Sequence, residues 1–547
     1  MNNYNSKKKM LIIGLDGATF DLIKPWVELG KLPTFSSLMS QGTYGELIST
    51  IPPVTAPAWS SIFTGANPGK HGLFDFTKYK ANSYNRELVS SLDIKVPTFP
   101  ELLSKQGYRT GLVNVPMTYP PKPLNGFVIS GILAPDEECE FTFPRDLKSR
   151  LLQNVGGYRI DYEILGYKNE DEMLHNLHNI TELRKNAIKY LITTNEWDLF
   201  YCVFVGIDRV QHWVWDVLGD PVDFSRDNII LKFYKIIDKA IQELISTVPE
   251  DTTVILLSDH GFGPSYKKLM LNRWLYQSEF LSLKKGKPPA SLLHKLKSVY
   301  KKKGSGYQTK IEEAKHFFER WKDWKNSSVA QINWEDTKAF AGNETEMGIY
   351  INTQSRFPAG IVNDGEYENV REDIIQRLLK LTDSENGKNV IQKVYRREDI
   401  YSGDHMHKAP DIVFETYNYE YDCSEDINDP TGQVFLPLQK SVMGKHRRNG
   451  IFIANGPGIK TGSLTGAGVN DIAPTILYMM GTPIPDYMDG RVLKEIFVEE
   501  YNKSKKIMRE SWTEGASLDS TEDQIYTDED RDKIVGKLKG LGYLDSL

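Results

Sequence analysis

Several side chains in this sequence have the chemistry of metal ligands, and their spacing is informative. Asp208 and His212 stand four residues apart in the segment DRVQH, and Asp259 and His260 are adjacent in SDHG. Side chains four residues apart lie on the same face of a helix, so Asp208 and His212 would face a common point. A carboxylate and an imidazole brought together in this way can share a metal ion.

Three acidic residues follow apolar runs of the kind that form buried strands. They are Asp16 after MLIIGL, Asp208 after DLFYCVFVGI and Asp259 just beyond TTVILL. In open sheets of parallel strands, binding residues gather at the carboxyl ends of the strands. We therefore expect the three carboxylates to converge at one edge of a sheet.

Thr55 lies in the proline-rich segment IPPVTAPAWSS, which predicts an extended backbone followed at once by a helix. A threonine at a helix start most often caps the helix with its hydroxyl. The alternative is a nucleophile, because free N–H groups and the positive end of the helix dipole favour a bound phosphate there. The residue type alone leaves both interpretations open, and the acidic and histidine clusters favour the nucleophile.

His446, in the segment GKH, adds a third imidazole far along the chain. Each motif also has a structural interpretation: a capped helix with a core histidine, a tight turn, or a surface histidine. Their joint position at successive strand ends favours a metal site. Imidazole and carboxylate ligands without thiolates favour zinc or another transition ion such as manganese. The candidate set is large enough for two divalent ions and comprises Asp16, Thr55, Asp208, His212, Asp259, His260 and His446.

The motifs LDG, VTAPA, DRVQH, SDHG and GKH occur in an order that resembles the alkaline phosphatase superfamily, and within it the type I phosphodiesterase and nucleotide pyrophosphatase branch. The resemblance runs from about Lys9 to Val492. It implies an enzyme that cleaves a phosphodiester or pyrophosphate bond of a small, nucleotide-like phosphate ester through a phosphothreonine at Thr55. It also implies two ligand sets: Asp16, Thr55, Asp259 and His260 for one ion, and Asp208, His212 and His446 for the other.

One position departs from that family's pattern. Ala58 stands three residues after Thr55, where many nucleotide pyrophosphatases carry an asparagine with an amide donor. A donor to a phosphate oxygen is therefore missing or supplied elsewhere. A phosphomonoesterase or phosphate-moving mutase on the same scaffold, and a non-catalytic metal-dependent phosphate-binding protein, are the alternative functions.

The elements that must position these residues alternate between strand and helix. This alternation predicts an α/β fold with a mainly parallel central sheet and helices on both faces, which is alkaline phosphatase-like by the resemblance. The segment from Met117 to Gly157, dense in proline and glycine, predicts a loop-rich excursion. The predicted segments are a catalytic core in two parts (8–264 and 336–495), an inserted helical cap (265–335) and a charged, peripheral C-terminal tail whose last helix docks on the body (496–547).

The composition is that of an ordinary globular protein. A formal net charge of −6 over 547 residues gives no argument for a stable nucleic-acid partner. The apolar runs are too short for a membrane span or a signal sequence, so we expect a cytoplasmic location. Cys139, Cys202 and Cys423 are widely scattered and are expected to be small buried hydrophobic residues rather than a disulfide framework. The oligomeric state has no signal in the sequence.

Overall fold

The structure is a computed structural model of the chain. Residues 285–330, most of the predicted cap, lie outside the described residues, and the prediction of a helical cap is therefore untested there. The described residues are 9–162, 167, 169–219, 221–284, 331–343, 345, 347–427, 432–438, 440, 442–513, 525–541, 543 and 544.

Up to residue 277 the described elements follow the predicted alternation of strands and helices. In chain order they are β1 (Met10–Leu15), α1 (Phe20–Glu28), α2 (Pro33–Gln41), β2 (Thr43–Ile48), α3 (Thr55–Thr64), α4 (Pro68–His71), β3 (Thr77–Tyr79), β4 (Arg86–Leu88), α5 (Phe99–Lys105), β5 (Thr110–Val115), β6 (Gly126–Ser130), β7 (Thr142–Phe143), α6 (Asp146–Val155), α7 (Glu170–Thr194), β8 (Leu199–Phe204), α8 (Gly206–Val214), α9 (Ile229–Ile245), β9 (Thr253–Leu257), β10 (Gly261–Ser265), β11 (Lys267–Met270) and α10 (Leu271–Gln277).

Beyond residue 331 strands predominate until the C-terminal region. These elements are β12 (Ala339–Ala341), β13 (Gly348–Ile351), α11 (Asp364–Leu378), β14 (Ile391–Arg396), α12 (Arg397–Ile400), β15 (Ile412–Thr416), β16 (Tyr421–Ser424), β17 (Phe435–Pro437), β18 (Met443–Arg447), β19 (Asn449–Asn455), β20 (Gly462–Gly468), α13 (Ile472–Met480), β21 (Ile484–Pro485), α14 (Glu499–Ser504), β22 (Arg509–Glu510) and α15 (Asp528–Gly540).

A nine-stranded sheet in the order β20-β2-β19-β9-β1-β8-β5-β6-β7 forms the centre of the molecule. Strands β9, β1, β8, β5 and β6 run parallel, and β19 runs antiparallel to both of its neighbours. Strands β1, β8 and β9 are buried at every residue, as expected for parallel strands that are covered on both faces. The predicted fold class is confirmed.

The register of the central strands places the carboxyl ends of β1, β8 and β9 at the same level of the sheet. Met10 of β1 pairs with Leu199 of β8 on one side and with Thr253 of β9 on the other. Because the three strands start together and have nearly equal length, they also end together. The residues that follow β1, β8 and β9 therefore meet at one edge of the sheet.

The range 336–495, treated as one unit in the sequence analysis, contributes strands to five different sheets among the described residues. Strands β12, β13, β15 and β14 form a separate four-stranded sheet with its own buried apolar cluster, which includes residues of α11. Strands β19 and β20 belong to the central sheet, and β18 pairs with β10 in a two-stranded ribbon.

The prediction of loops between Met117 and Gly157 is wrong in part. Strand β6 extends the parallel sheet, and β7 and α6 follow it. These elements are too short to show a hydrophobic period among the prolines and glycines. Phe127 and Ile129 are nevertheless buried in the main core.

Gly14 in β1 tests how tightly the core is packed beneath the site. A Cβ atom there would lie 2.6 Å from Cη2 of Trp59 and 2.8 Å from Cγ2 of Val203. We expect Gly14→Ala to lower the free energy of unfolding by about 1–3 kcal/mol in urea denaturation, because it overpacks a buried contact. The matched control is Gly536→Ala in α15, where a Cβ meets nothing within 4 Å and should stabilise by about 0.5–1 kcal/mol. Equal effects at the two positions would contradict this packing.

Candidate active site

Asp16 and Asp259 lie side by side just beyond the ends of β1 and β9. Each has one oxygen held by the protein: Oδ2 of Asp16 accepts from Nε1 of Trp59 at 3.2 Å, and Oδ1 of Asp259 accepts from the Gly17 N–H at 3.3 Å. The other oxygens, Oδ1 of Asp16 and Oδ2 of Asp259, are buried without a hydrogen-bond partner. A buried carboxylate oxygen without a partner is costly, so both oxygens are suited to a cation.

Asp208 and His212 lie on α8, which begins two residues after β8 ends. The strand is shorter than predicted, and Asp208 therefore stands in the first turn of the helix rather than at the strand end. Asp208 and His212, four residues apart in sequence, lie side by side as predicted, with Nε2 of His212 3.4 Å from Oδ1 of Asp208. Gln211 ties this helix to the end of β1 by donating from Nε2 to the carbonyl of Gly17 at 2.9 Å.

The ribbon of β10 and β18 brings the two remaining histidines together. His260 immediately precedes β10, and His446 in β18 pairs with Phe262 of β10. The imidazole rings of His260 and His446 stack with their centroids 3.6 Å apart. Residues separated by 186 positions thus share one wall of the site.

All three histidines are oriented in the same way. Each places Nδ1 against a backbone carbonyl, and since a carbonyl only accepts, Nδ1 carries the proton and Nε2 presents a lone pair. A hydrogen bond from the second ring nitrogen to a carbonyl is the usual support of a metal-binding imidazole. The bonds are His212 to Gly444 at 3.2 Å, His260 to Gly261 at 3.1 Å and His446 to Pro53 at 2.9 Å.

The lone pairs of these rings converge. Nε2 of His212 lies 3.0 Å from Nε2 of His446, which in turn lies 3.1 Å from Oδ1 of Asp208. Acceptor atoms that face one another without a proton between them repel, and a cation among them removes the repulsion. The residues therefore fit a divalent ion at this point.

Two groups of donor atoms each lie within 4.8 Å of one another: Asp208, His260 and His446 in one, and Asp16, Asp259 and His260 in the other. His260 lies between the groups, with Nε2 3.2 Å from Oδ2 of Asp259. The structure thus brings all seven residues predicted from the sequence into one cluster. His260 belongs to both groups and links them.

Thr55 is the first residue of α3, and its hydroxyl does not cap the helix. Val54 occupies the cap position and has no side-chain cap. The Thr55 hydroxyl instead lies 3.2 Å from Nε2 of His260 and 3.4 Å from the hydroxyl of Tyr543. The structure therefore contradicts the capping interpretation and directs this hydroxyl into the donor cluster.

The pKa shifts of Asp16 and Asp259 show that the cluster has an excess of negative charge. Burial, followed by repulsion from Asp208, raises the pKa of Asp16 well above its usual range, and burial with repulsion from Asp16 does the same for Asp259. Burial also lowers the pKa of His212 to about 4 and that of His260 well below its usual range. Both imidazoles are neutral near pH 7 and are available as ligands.

Asp208 behaves differently from the other two carboxylates. Burial alone would raise its pKa, but His212, His446 and Arg209 together lower it well below the usual range. Nη1 of Arg209 donates to Oδ2 of Asp208 at 2.6 Å, and the hydroxyl of Tyr543 donates to the same oxygen at 2.9 Å. Oδ2 is thus held by protein groups, and Oδ1 faces the histidines.

Arg209 and Tyr543 are site residues that the sequence analysis missed. Arg209 belongs to the DRVQH motif, and its place next to Asp208 in the sequence could have indicated that it pairs with that carboxylate. Tyr543 belongs to the tail predicted to be peripheral, and no local pattern links it to the site. The expectation of a peripheral tail is corrected in one respect. Helix α15 docks as expected, but Ile534 and Leu538 pack into a buried cluster that also contains Val54, the residue before Thr55.

The central sheet, with buried carboxylates and imidazoles gathered beyond its strand ends, defines an alkaline phosphatase-like α/β fold. Residues 10–433 match the model of the type I phosphodiesterase / nucleotide pyrophosphatase family, and the chain belongs to that family. The family is metal-dependent and hydrolyses phosphoesters, so the chain is a phosphoester hydrolase. The comparison with curated proteins gave no significant match.

A solved structure shows the same fold at low sequence identity. Phosphonoacetate hydrolase from Sinorhizobium meliloti 1021 is similar with a TM-score of 0.50 and 13% identity, over 87% of this chain and 95% of that one. Human ectonucleotide pyrophosphatase/phosphodiesterase 5 aligns with a TM-score of 0.49 and 12% identity, over 90% of this chain and 100% of that one. Among the described residues, no helix is long and apolar enough to cross a membrane.

Removing one carboxylate tests the charge balance of the site. In metal-free protein we expect Asp259→Asn to raise the free energy of unfolding. Because the folded pKa of Asp259 is raised, its favourable contribution is present below the unfolded pKa and is lost as the pH rises through the folded pKa. The advantage of the variant therefore grows with pH, by about 1.4 kcal/mol per unit between the two pKa values.

Urea denaturation in the presence of a chelator, at several pH values from acid to neutral, measures this difference. Added zinc should stabilise the wild-type protein more than the variant, because the variant lacks a ligand. Asp216→Asn, at a surface aspartate paired with Lys440, is the control and should show neither effect. A stability difference that does not change with pH would contradict the charge account.

Proposed function

We propose that this protein hydrolyses a phosphodiester or pyrophosphate bond of a small, nucleotide-like substrate, with Thr55 as nucleophile. Two divalent ions, zinc in preference to manganese, would be held by the seven clustered residues. The observation that carries the proposal is the direction of the Thr55 hydroxyl. This hydroxyl does not cap α3 and lies 3.2 Å from Nε2 of His260, one of the buried donors.

The proposed ligand sets follow the two sides of the cluster. Asp208, His212 and His446 would hold one ion, and Asp16, Asp259 and His260 would hold the other together with Thr55. Support comes from the buried oxygens without partners and from the inward Nε2 lone pairs. When bound, the ions supply positive charge that favours the ionised Thr55 hydroxyl and stabilises the charge on the phosphate and the leaving oxygen.

The protein's own groups position the nucleophile. Thr55 begins a helix, where the free N–H groups and the dipole attract a phosphate. In the first step Oγ of Thr55 bonds to phosphorus as the bond to the leaving oxygen breaks. That oxygen keeps the electron pair and gains a proton in place of the one that Thr55 loses. Water then attacks the phosphothreonine, Thr55 regains a proton, and a phosphate monoester is released.

The pocket lined by Val54, His446 and Tyr543 supports a diester rather than a monoester as substrate. Its wall includes Thr345, Met347 and Lys445 beside His446. Lys445 is paired with Asp422 at 2.9 Å, and that carboxylate offsets its charge. A phosphodiester carries one negative charge and needs less positive charge from the protein than the doubly charged phosphate of a monoester.

Replacing the nucleophile gives the most direct chemical test. We expect Thr55→Ala to lower kcat by about 10⁴-fold or more, because the covalent step loses its attacking oxygen. Zinc content should remain close to that of the wild-type protein, since six of the seven donors stay. The same substitution at Thr193, exposed on α7, is the control and should leave kcat unchanged. Turnover at the wild-type rate in Thr55→Ala would refute the assignment.

Substrate preference tests the reaction class. We expect zinc-loaded protein to hydrolyse bis(p-nitrophenyl) phosphate faster than p-nitrophenyl phosphate, because the pocket provides little net charge for a terminal phosphate. A chelated sample of the same preparation should cleave neither. A preference for the monoester would favour the phosphatase alternative.

A further inference from the structure

The C-terminal end of the described chain reaches the centre of the site. Helix α15 is followed by Leu541, Tyr543 and Leu544, all of which are buried. Tyr543 is only 1% exposed, although it lies 488 residues along the chain from Thr55. The charged tail thus contains a buried apolar segment that carries one hydroxyl into the site.

That hydroxyl lies beside the nucleophile. It donates to Oδ2 of Asp208 at 2.9 Å, lies 3.4 Å from Oγ of Thr55 and lies 3.4 Å from Nη1 of Arg209. A phosphorus atom poised for attack lies about 3–3.5 Å from the attacking oxygen. The hydroxyl is at the same distance from Thr55, and Tyr543 lines the adjoining pocket with Val54 and His446, so a phosphoryl group bound on that side contacts it or displaces it.

Packing holds the tyrosine in place. Its ring stacks on Phe76, with centroids 5.0 Å apart, and contacts the edges of His212 and His446. Leu538 and Leu541 are buried in the same apolar cluster. Displacing the ring would expose this apolar surface to water, which is unfavourable. Contact with the phosphoryl group is therefore favoured over displacement.

The Tyr543 hydroxyl can donate to a phosphoryl oxygen instead of to Asp208. Asp208 Oδ2 also accepts from Arg209 at 2.6 Å and stays paired when the Tyr543 proton turns away. Phosphoryl oxygens only accept, and the Tyr543 hydroxyl is a donor that lies beside Thr55. Ala58, in contrast, has no donor on its side chain.

We infer that Tyr543 is a catalytic residue whose hydroxyl donates to a non-bridging oxygen of the phosphoryl group attacked by Thr55. The inference rests on the proposed function and deepens it. It makes the C-terminal tail a part of the active site and supplies the donor that the sequence around Ala58 lacks.

Tyr543→Phe tests the inference, because it removes the hydroxyl and keeps the stacked ring. With zinc-loaded protein and bis(p-nitrophenyl) phosphate we expect kcat to fall by about 100-fold with a smaller change in KM, as for loss of one transition-state donor. Calorimetric titration with inorganic phosphate should show affinity reduced by about tenfold. Tyr526→Phe is the matched control, since that tail hydroxyl contacts the Val89 carbonyl at 3.3 Å and should change neither value.

Each outcome decides the inference. Wild-type kcat and phosphate affinity in Tyr543→Phe would overturn it, and a higher kcat would overturn it by showing that the tyrosine obstructs the site. A fall in kcat together with a fall in zinc content would also overturn it, because the residue would then act through Asp208. If wild-type protein cleaves no phosphoester, the proposed function fails. A selective loss of phosphate affinity in Tyr543→Phe would still support the phosphate contact.

Discussion

The mutual repulsion of buried carboxylates is the constraint on which the site depends. Asp16, Asp208 and Asp259 are fully buried beside one another, and Arg209 pairs directly with only one of them. Carboxylates held out of water must be protonated, paired or bound to a cation. Asp208 is paired with Arg209, and the other two carry raised pKa values and oxygens without partners. A cation bound among these oxygens would offset the excess of negative charge.

The rest of the structure supports this arrangement. The register of β9, β1 and β8 sets the separation of the carboxylates, and the β10 and β18 ribbon adds two imidazoles. Backbone carbonyls fix the three rings with their lone pairs directed inward. Helix α3 presents Thr55 to the same point, and Tyr543, just after α15, lies beside it. Elements from both ends of the chain therefore converge on one small volume.

Features that depend on local sequence could be predicted. The buried runs of β1, β8 and β9 are visible as apolar segments, and the helical spacing of Asp208 and His212 predicts their contact. The start of α3 at Thr55 follows from the surrounding prolines. The end of β8 was placed three residues too late, because α8 begins with apolar residues that extend the strand pattern.

Features that depend on distant contacts could not be predicted in this way. Tyr543 approaches Thr55 across 488 positions, and a tyrosine near a charged tail has no pattern that reveals its neighbours. The separate sheet of β12 to β15 was also missed, because strand periodicity does not tell which sheet a strand joins. The orientation of the histidines depends on carbonyls such as that of Pro53, which lies 393 positions from His446.

Anomalous diffraction from crystals grown with zinc tests the central claim most directly. The account predicts two zinc peaks, one among Asp208, His212 and His446 and the other among Asp16, Asp259 and His260, with Oγ of Thr55 adjacent to the second. A cluster without zinc, or a single ion remote from Thr55, would contradict it.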